Sequence, residues 1–322
     1  MGEQAYKRPS WVKRAMAAGG EFHAMKQTPK RHNTINAVAS VALLLVFVGT
    51  TLLGAVLPVA VYMPLALVLY GCLYFAINVL IIHECSHNMF VRSADRQRQK
   101  RLNRLFGRLA SLPFFTDYIR HWEQGHTVHH LRPCEADDPQ DRDPLTGSRL
   151  MRRYLILLVP FSFVAFNPSS QYPGQLKRAA VGAVVYWLPM GALTGWFLGW
   201  HVPASMLLAL HVTMMLNWTK KAQEHGAGLA HEPDFVLRSR SYFYLLSPLT
   251  SPFNINYHFE HHANFNVPWY ALPAYHRRLQ DIVPADLKPY YFHRDFFAQL
   301  LGTKPLPPRP LLAAAGDASP QH

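Results

Sequence analysis

An all-α, multi-pass membrane protein is the fold class this sequence predicts: two transmembrane helical hairpins, four helices in all, beneath a cytoplasmic helical cap rich in histidine. Three observations predict it. Two long spans carry no charged residue, every Lys and Arg lies outside them, and the histidines cluster just beyond them. Half of the 322 residues are apolar while the formal charge is +13, so apolar and basic residues must be sorted along the chain rather than mixed.

Residues 1–34 are polar and basic, without an apolar signal core or a cleavage motif, and are expected to form a cytoplasmic N-terminal segment. From Ile35 to Ile82 the chain is uncharged and nearly all Leu, Val, Ala, Ile and aromatic. That is too long for one crossing of about 20 residues. Pro58 and Pro64 flank a turn, so the span reads as helices at about 35–57 and 61–85. The stretch 150–166 is apolar but short, contains Pro160 and follows Arg152 and Arg153. A crossing there would put the histidine clusters on opposite faces, so it reads as an interfacial or re-entrant helix. The second uncharged span, Ala179–Thr219, breaks at Gly199-Trp-His-Val-Pro203 into helices at about 179–199 and 203–219. The membrane domain is thus expected over 35–302, followed by a disordered tail, 303–322, rich in Pro and Ala.

Orientation follows from charge. All 32 Lys and Arg fall in 1–34, 83–178 and 220–322, which two hairpins place on one side of the membrane. By the positive-inside rule that side is cytoplasmic, with both termini and every histidine cluster. Attraction of basic residues to anionic lipid accounts for the high pI. No aromatic-interleaved basic fold is visible, so no nucleic-acid partner is expected. Cys72, Cys85 and Cys134 have no pairing spacing, which suits reduced thiols.

The chemistry lies in His83-Glu-Cys-Ser-His87, His126-Thr-Val-His129-His130 and His258-Phe-Glu-His261-His262. Spacings of three and four put the imidazoles of each cluster on one helix face. His225, in Gln-Glu-His-Gly, is a ninth candidate ligand. Nine imidazoles exceed what one metal accepts, and structural zinc usually takes four ligands, several of them Cys. Two redox-active irons are therefore the expected occupants. Glu84, Glu123, Glu224 and Glu260 lie in or beside the clusters and either take the second N–H of ligand histidines or stand as solvated loop carboxylates, the same choice open to Asp137, Asp138, Asp141 and Asp143. Asn254 is expected either to hydrogen-bond a metal-bound water or to cap the helix of the third cluster. His23, His32, His276, His293 and His322 read as surface residues, and His201 and His231 as turn residues. His121 falls off the helical face of the second cluster. His211, inside the fourth helix, either lines a substrate channel or packs with its hydrogen bonds satisfied.

HECSH, HTVHH and HFEHH between two hydrophobic hairpins resemble the three histidine boxes of the membrane fatty acid desaturase superfamily. The run from Asn254 to His262, followed by Val267-Pro268 and Leu272-Pro273, resembles the third box closely, and the likeness covers about residues 35–285. The first box with its following Asn88 is similar to that of sphingolipid desaturases. The resemblance implies a non-heme di-iron membrane enzyme that uses O2 and two electrons. Its ligands here would be His83, His87, His126, His129, His130, His258, His261 and His262, with His225 as the isolated extra ligand. Glu84 stands where many acyl desaturases have Asp, and His258 where front-end desaturases commonly have Gln.

No cytochrome b5 heme motif and no rubredoxin-like cysteine pairs are present, so electrons are expected from a separate ferredoxin, rubredoxin or cytochrome b5 type of carrier. A basic surface suits docking of an acidic one. The expected function is oxygen-dependent desaturation of a long acyl chain, in a lipid or a thioester, with no catalytic residue beyond the metal site. Hydroxylases, carotenoid ketolases and alkane monooxygenases share similar boxes and are the alternative on the same fold. A metal transporter would bury its ligands near the bilayer midplane on broken helices. A zinc membrane hydrolase needs far fewer histidines.

Overall fold

The computed structural model describes residues 6–140, 146–164, 174–226, 229–245 and 247–295. Helix α1 is Ser10–Ala18 and α2 is Pro29–Val56. Thr28 caps α2 by accepting from the Arg31 N–H at 3.3 Å, and Pro29 at the first position gives up no needed donor. After Leu57 and Pro58, α3 runs Val59–Ile77. Pro64 lies inside α3 rather than in the turn the sequence suggested, one turn from its start, where few carbonyls precede it.

The helices of the first two histidine clusters are not simple α-helices. Helix α3 widens into a π-helical segment, Asn78–His83, before the short α4, Glu84–Ser86. A second π-helical segment, Tyr118–Gln124, leads into α6, Gly125–Leu131. Between them, α5 spans Arg96–Ser111, capped by Asp95, which accepts from the N–H groups of Gln97 and Arg98. Each π segment inserts extra backbone into the turn, which rotates the helix face that follows; such bulges concentrate at functional sites.

Helix α7, Gly147–Leu157, covers the first half of the apolar stretch 150–166, which is expected not to cross. Its 11 residues reach only about 16 Å. Leu150 and Leu157 are buried while Leu155 and Leu158 face outward. Residues 165 and 166 of that stretch lie outside the described residues, as does the tail 303–322. Helices α8, Gln175–Leu198, and α9, His201–His225, meet at Gly199, whose φ of +97° a side chain would resist.

Among the described residues, three helices are long and apolar enough to cross a membrane: Pro29–Val56, Val59–Ser86 and Ala180–Leu198. Helix α9, expected as the fourth, is as long but less apolar, carrying His211, Thr213, Asn217, Lys220, Lys221 and Glu224. Helix α3 is the bundle's centre, packed between α2 and α9; at Gly71 an added Cβ would meet Val212 at 2.5 Å, so glycine permits the close approach. Leu44 and Leu45 of α2 and Val185 and Leu188 of α8 point outward, as lipid-facing residues do. Trp196 and Trp200 at the α8–α9 turn are exposed, in the manner of an aromatic belt.

A second core lies beyond the bundle. Strand β1, Ser241–Tyr242, pairs in parallel with β2, Phe292–His293, and α10 is Ser247–Thr250. Helices α11, His258–Ala263, α12, Leu272–Gln280, and α13, Lys288–Tyr291, complete it. Trp11 and Val12 of α1 are buried against this core, Trp11 stacking on Phe259 at 6.4 Å. The stretch drawn as an N-terminal segment therefore contributes a helix to the unit that holds the third histidine cluster.

Candidate metal centre

All nine predicted histidines converge, in two groups. His83, His87, His126, His130 and His261 form one, and His129, His225, His258 and His262 the other, with one candidate ligand atom from each within 4.8 Å of the rest of its group. The consecutive histidines of each HxxHH motif divide between the groups: His129 and His130 point to different ones, as do His261 and His262. A helical step of one residue turns the side chain by about 100°, so adjacent histidines can serve two centres side by side.

The ring nitrogens are arranged for a cation. In the first group Nε2 atoms approach in a chain: His83 to His261 at 3.0 Å, His261 to His130 at 3.0 Å, His130 to His126 at 3.1 Å and His126 to His87 at 3.0 Å. In the second, His258 and His225 bring theirs to 2.8 Å. Outward, His126 Nδ1 faces Gln140 Oε1 at 2.6 Å, His129 Nδ1 faces Asp138 Oδ2 at 2.9 Å, and His225 Nδ1 faces the Arg238 carbonyl at 2.8 Å. Acceptors on that side hold the proton on Nδ1, which leaves Nε2 a bare lone pair. Bare lone pairs about 3 Å apart repel unless a positive ion lies among them. His262 adds two buried ring nitrogens that make no hydrogen bond among the described residues. The donor set fits a pair of transition-metal ions of the kind imidazole prefers, iron among them.

Electrostatics agree. Burial, then the neighbouring imidazoles, hold His126, His130, His258, His261 and His262 well below the usual histidine range. Burial pushes His87 down to about 3. Neutral rings with available lone pairs are the form a metal requires.

Of the carboxylates that could support the ligands, three lie against them. Asp138 accepts from His129, Glu224 Oε1 lies 3.2 Å from His258 Nδ1, and Glu84 Oε1 lies 3.7 Å from His83 Nδ1. The others are otherwise engaged. Glu123 pairs with Arg104, Glu260 is bound by His276 and Ser241, and Asp137 pairs with Arg132 in solvent. Asp141 and Asp143 lie outside the described residues. Asn254 neither caps α11 nor faces the rings: its φ is +59° and its amide donates to the Trp269 carbonyl at 3.1 Å.

Among the other histidines, His32 and His293, expected at the surface, are interior, and His276 is half-buried. His32 bonds the Tyr270 hydroxyl and the Met89 carbonyl, His293 is buried in β2, and His276 holds Glu260. His201 starts α9 and reaches the Gly54 carbonyl at 3.0 Å. His211 makes the packing choice, donating to or facing the carbonyls of Leu208 and Val159. Gln140 and the Arg238 carbonyl were missed, since nothing in local spacing marks residues that meet a ring across the fold.

A cavity opens from the rings between α3 and α9. His83, His126, His129, His225 and His258 line one part of it, and Phe75, Val79, Phe163, Leu210 and Met214 another. His121 also lines it, buried but outside both histidine groups.

A family model described as "Fatty acid desaturase" matches residues 58–294. The chain is 28% identical over 200 residues to the sphingolipid delta(4)-desaturase DES1 of Homo sapiens, covering 60% of this chain and 58% of that protein. It is likewise 28% identical over 205 residues to DES1 of Drosophila melanogaster, covering 62% and 60%. The sphingolipid delta(4)-desaturase of Candida albicans is 24% identical over 220 residues, covering 62% and 57%. The matched region spans about three fifths of these relatives' length.

Proposed function

This chain belongs to the fatty acid desaturase family, and from that premise we propose that it introduces a double bond into a long hydrocarbon chain of a membrane lipid or acyl thioester, using O2. The observation that carries the reading is the junction of two all-imidazole ligand groups with an apolar cavity between α3 and α9. The relatives named above act, by name, on sphingolipids, which supports a lipid substrate here.

The nine histidines His83, His87, His126, His129, His130, His225, His258, His261 and His262 would hold two iron ions, five rings to one and four to the other. Bound there, iron supplies the activation of O2 and the oxidising power to remove hydrogen from an unactivated methylene. The protein's part is positional. The cavity walls hold one stretch of chain beside the rings, and exclusion of water protects the reaction from side paths. Asp138, Glu224, Gln140 and the Arg238 carbonyl fix ring orientation. Electrons come from a separate carrier, for which the basic surface is suited. The four helices α2, α3, α8 and α9 make two hairpins, with both termini and the histidines on the cytoplasmic side, as the distribution of Lys and Arg favours. The membrane unit extends over 35–302 and takes in α1 and the start of α2 from residues 1–34, with the tail 303–322 after it.

The test is metal analysis of the purified chain together with mass spectrometry of lipids from a host expressing it, beside its His129→Ala variant. Two irons per chain, and a product lighter than its precursor by two hydrogens that requires the intact rings, are expected. A product heavier by one oxygen would move the chain to the hydroxylases of the same fold. One zinc and no iron would end the di-iron reading.

A further inference from the structure

We propose that Lys221 anchors a negatively charged headgroup, so that the substrate is a single-chain amphiphile whose headgroup or carrier bears a carboxylate or a phosphate monoester. This rests on the reading of the cavity as the substrate chamber.

Two adjacent ammonium groups of α9, Lys220 and Lys221, line that cavity. Lys220 is neutralised: it donates to Glu224 at 2.6 Å, and Glu224 in turn lies against His258. Lys221 is not. Its partner among the described residues is a backbone carbonyl, that of Gln140, which uses one of its three donors and supplies no charge. A cation on the wall of a partly apolar chamber loses hydration when a hydrocarbon chain displaces water, and that loss is unfavourable unless an anion replaces the water. An anionic headgroup recovers it through charge-assisted hydrogen bonds, which are roughly twice as strong as neutral ones. His121, Thr116 and Gln140 line the same cavity and give the headgroup neutral polar neighbours.

The position of Lys221 also sets where along the chain attack falls. Lys221 precedes His225 by one helical turn, a rise of about 6 Å. Leu210, on the apolar part of the wall, lies about 16 Å back along the same axis. A headgroup held at Lys221 keeps the first methylenes near the rings and sends the remainder toward Phe75 and Leu210. Attack is therefore expected in the headgroup half of the chain.

The test measures binding by the purified full chain in nanodiscs of neutral lipid, read as radiolabelled ligand retained over empty discs. Three ligands of one chain length are compared, palmitate, hexadecyl phosphate and hexadecanol, at a pH where the first two are ionised. At least one anionic chain should bind about tenfold or more tightly than the alcohol, the worth of one hydrogen bond between charged groups. Preference for palmitate or for the phosphate tells which anion the site takes. Lys221→Gln should bring that ligand to parity while leaving hexadecanol unchanged, and Lys221→Arg should keep the preference. Equal binding of all three by the wild type, or a preference that survives Lys221→Gln, overturns the proposal. Binding needs neither metal nor turnover, so a preference that follows Lys221 in a chain lacking desaturase product would retire the desaturase reading and leave the anchor. A desaturating chain with no such preference would do the reverse.

Discussion

Asp138 shows how one side chain can govern a ligand it does not replace. It is fully buried and accepts from His129 Nδ1 and the Cys134 N–H, both at 2.9 Å, and from the Gln140 N–H at 2.8 Å. Burial alone would raise its carboxyl, but the His129 ring and these hydrogen bonds outweigh it and hold the group well below the usual carboxylate range. It is thus an anion that fixes the His129 proton on Nδ1. Asp138→Asn keeps the shape and removes the charge, so the metal affinity of the second group should fall about 10- to 100-fold. Chelator competition followed by metal analysis measures this, and unchanged retention would show that His129 needs no such support. The histidines make a second prediction, on pH. Folded, His126, His130, His258, His261 and His262 titrate far below the ordinary value, and His87 at about 3. The unfolded chain regains a histidine value of about 6.5. Between those limits the unfolded state binds more protons, so stability is full above the unfolded value and is lost as pH falls below it. The melting temperature of the metal-free chain should therefore drop from neutral pH to mildly acidic pH. A melt that stays level or rises on acidification would contradict burial of neutral rings.

At the scale of elements, the π-helical segments decide which way the histidine helices face. Gly107 of α5 packs on the Tyr118 ring, at the start of the segment leading to the second histidine cluster, so closely that an added Cβ would overlap it. Gly107→Ala should push Tyr118 aside and cost about 1–3 kcal/mol, the usual range for overpacking, with metal content falling in step. Gly49→Ala in α2 is the matched control, since nothing lies within 4 Å of the new Cβ. Equal melting temperatures for the two variants would remove α5 from the account. These same elements mark where sequence reading stops. Apolar runs and their breaks located α2, α3, α8 and α9 because membrane length and charge exclusion act on local composition. Eight of the histidines were legible because a helical face repeats at three and four, and His225 only from its place in Gln-Glu-His-Gly at the end of an apolar helix. The division of His129 from His130 was not, because it depends on how three separate helices rotate against each other. Nor were Gln140 and Arg238, whose partners lie 14 and 13 residues away across turns. Glu123 and Glu260 misled because proximity in sequence does not decide which neighbour a carboxylate meets; Arg104 and His276 reach them from other helices.

For the whole molecule, the sidedness of the chain follows from parity: each membrane crossing moves everything downstream to the other face. If only α2, α3, α8 and α9 cross, the α2–α3 and α8–α9 turns share one face, and Tyr6 and α5 share the opposite one. If the stretch holding α7 crossed as well, the α8–α9 turn would change sides while the α2–α3 turn would not. The two histidine groups draw ligands from α6 before that stretch and from α9 and α11 after it. An added crossing would therefore have to be undone before α9 for the rings to meet. Single cysteines in a chain whose Cys72, Cys85 and Cys134 have been replaced can decide this. Val56, Trp200, Tyr6 and Gln97 are all exposed positions suited to labelling. With a membrane-impermeant maleimide on intact cells, cysteines at Val56 and Trp200 should label at once. Those at Tyr6 and Gln97 should label only after permeabilisation. Labelling at Val56 but not at Trp200 would mean that the stretch between α6 and α8 crosses the bilayer, and the two-hairpin topology would fall.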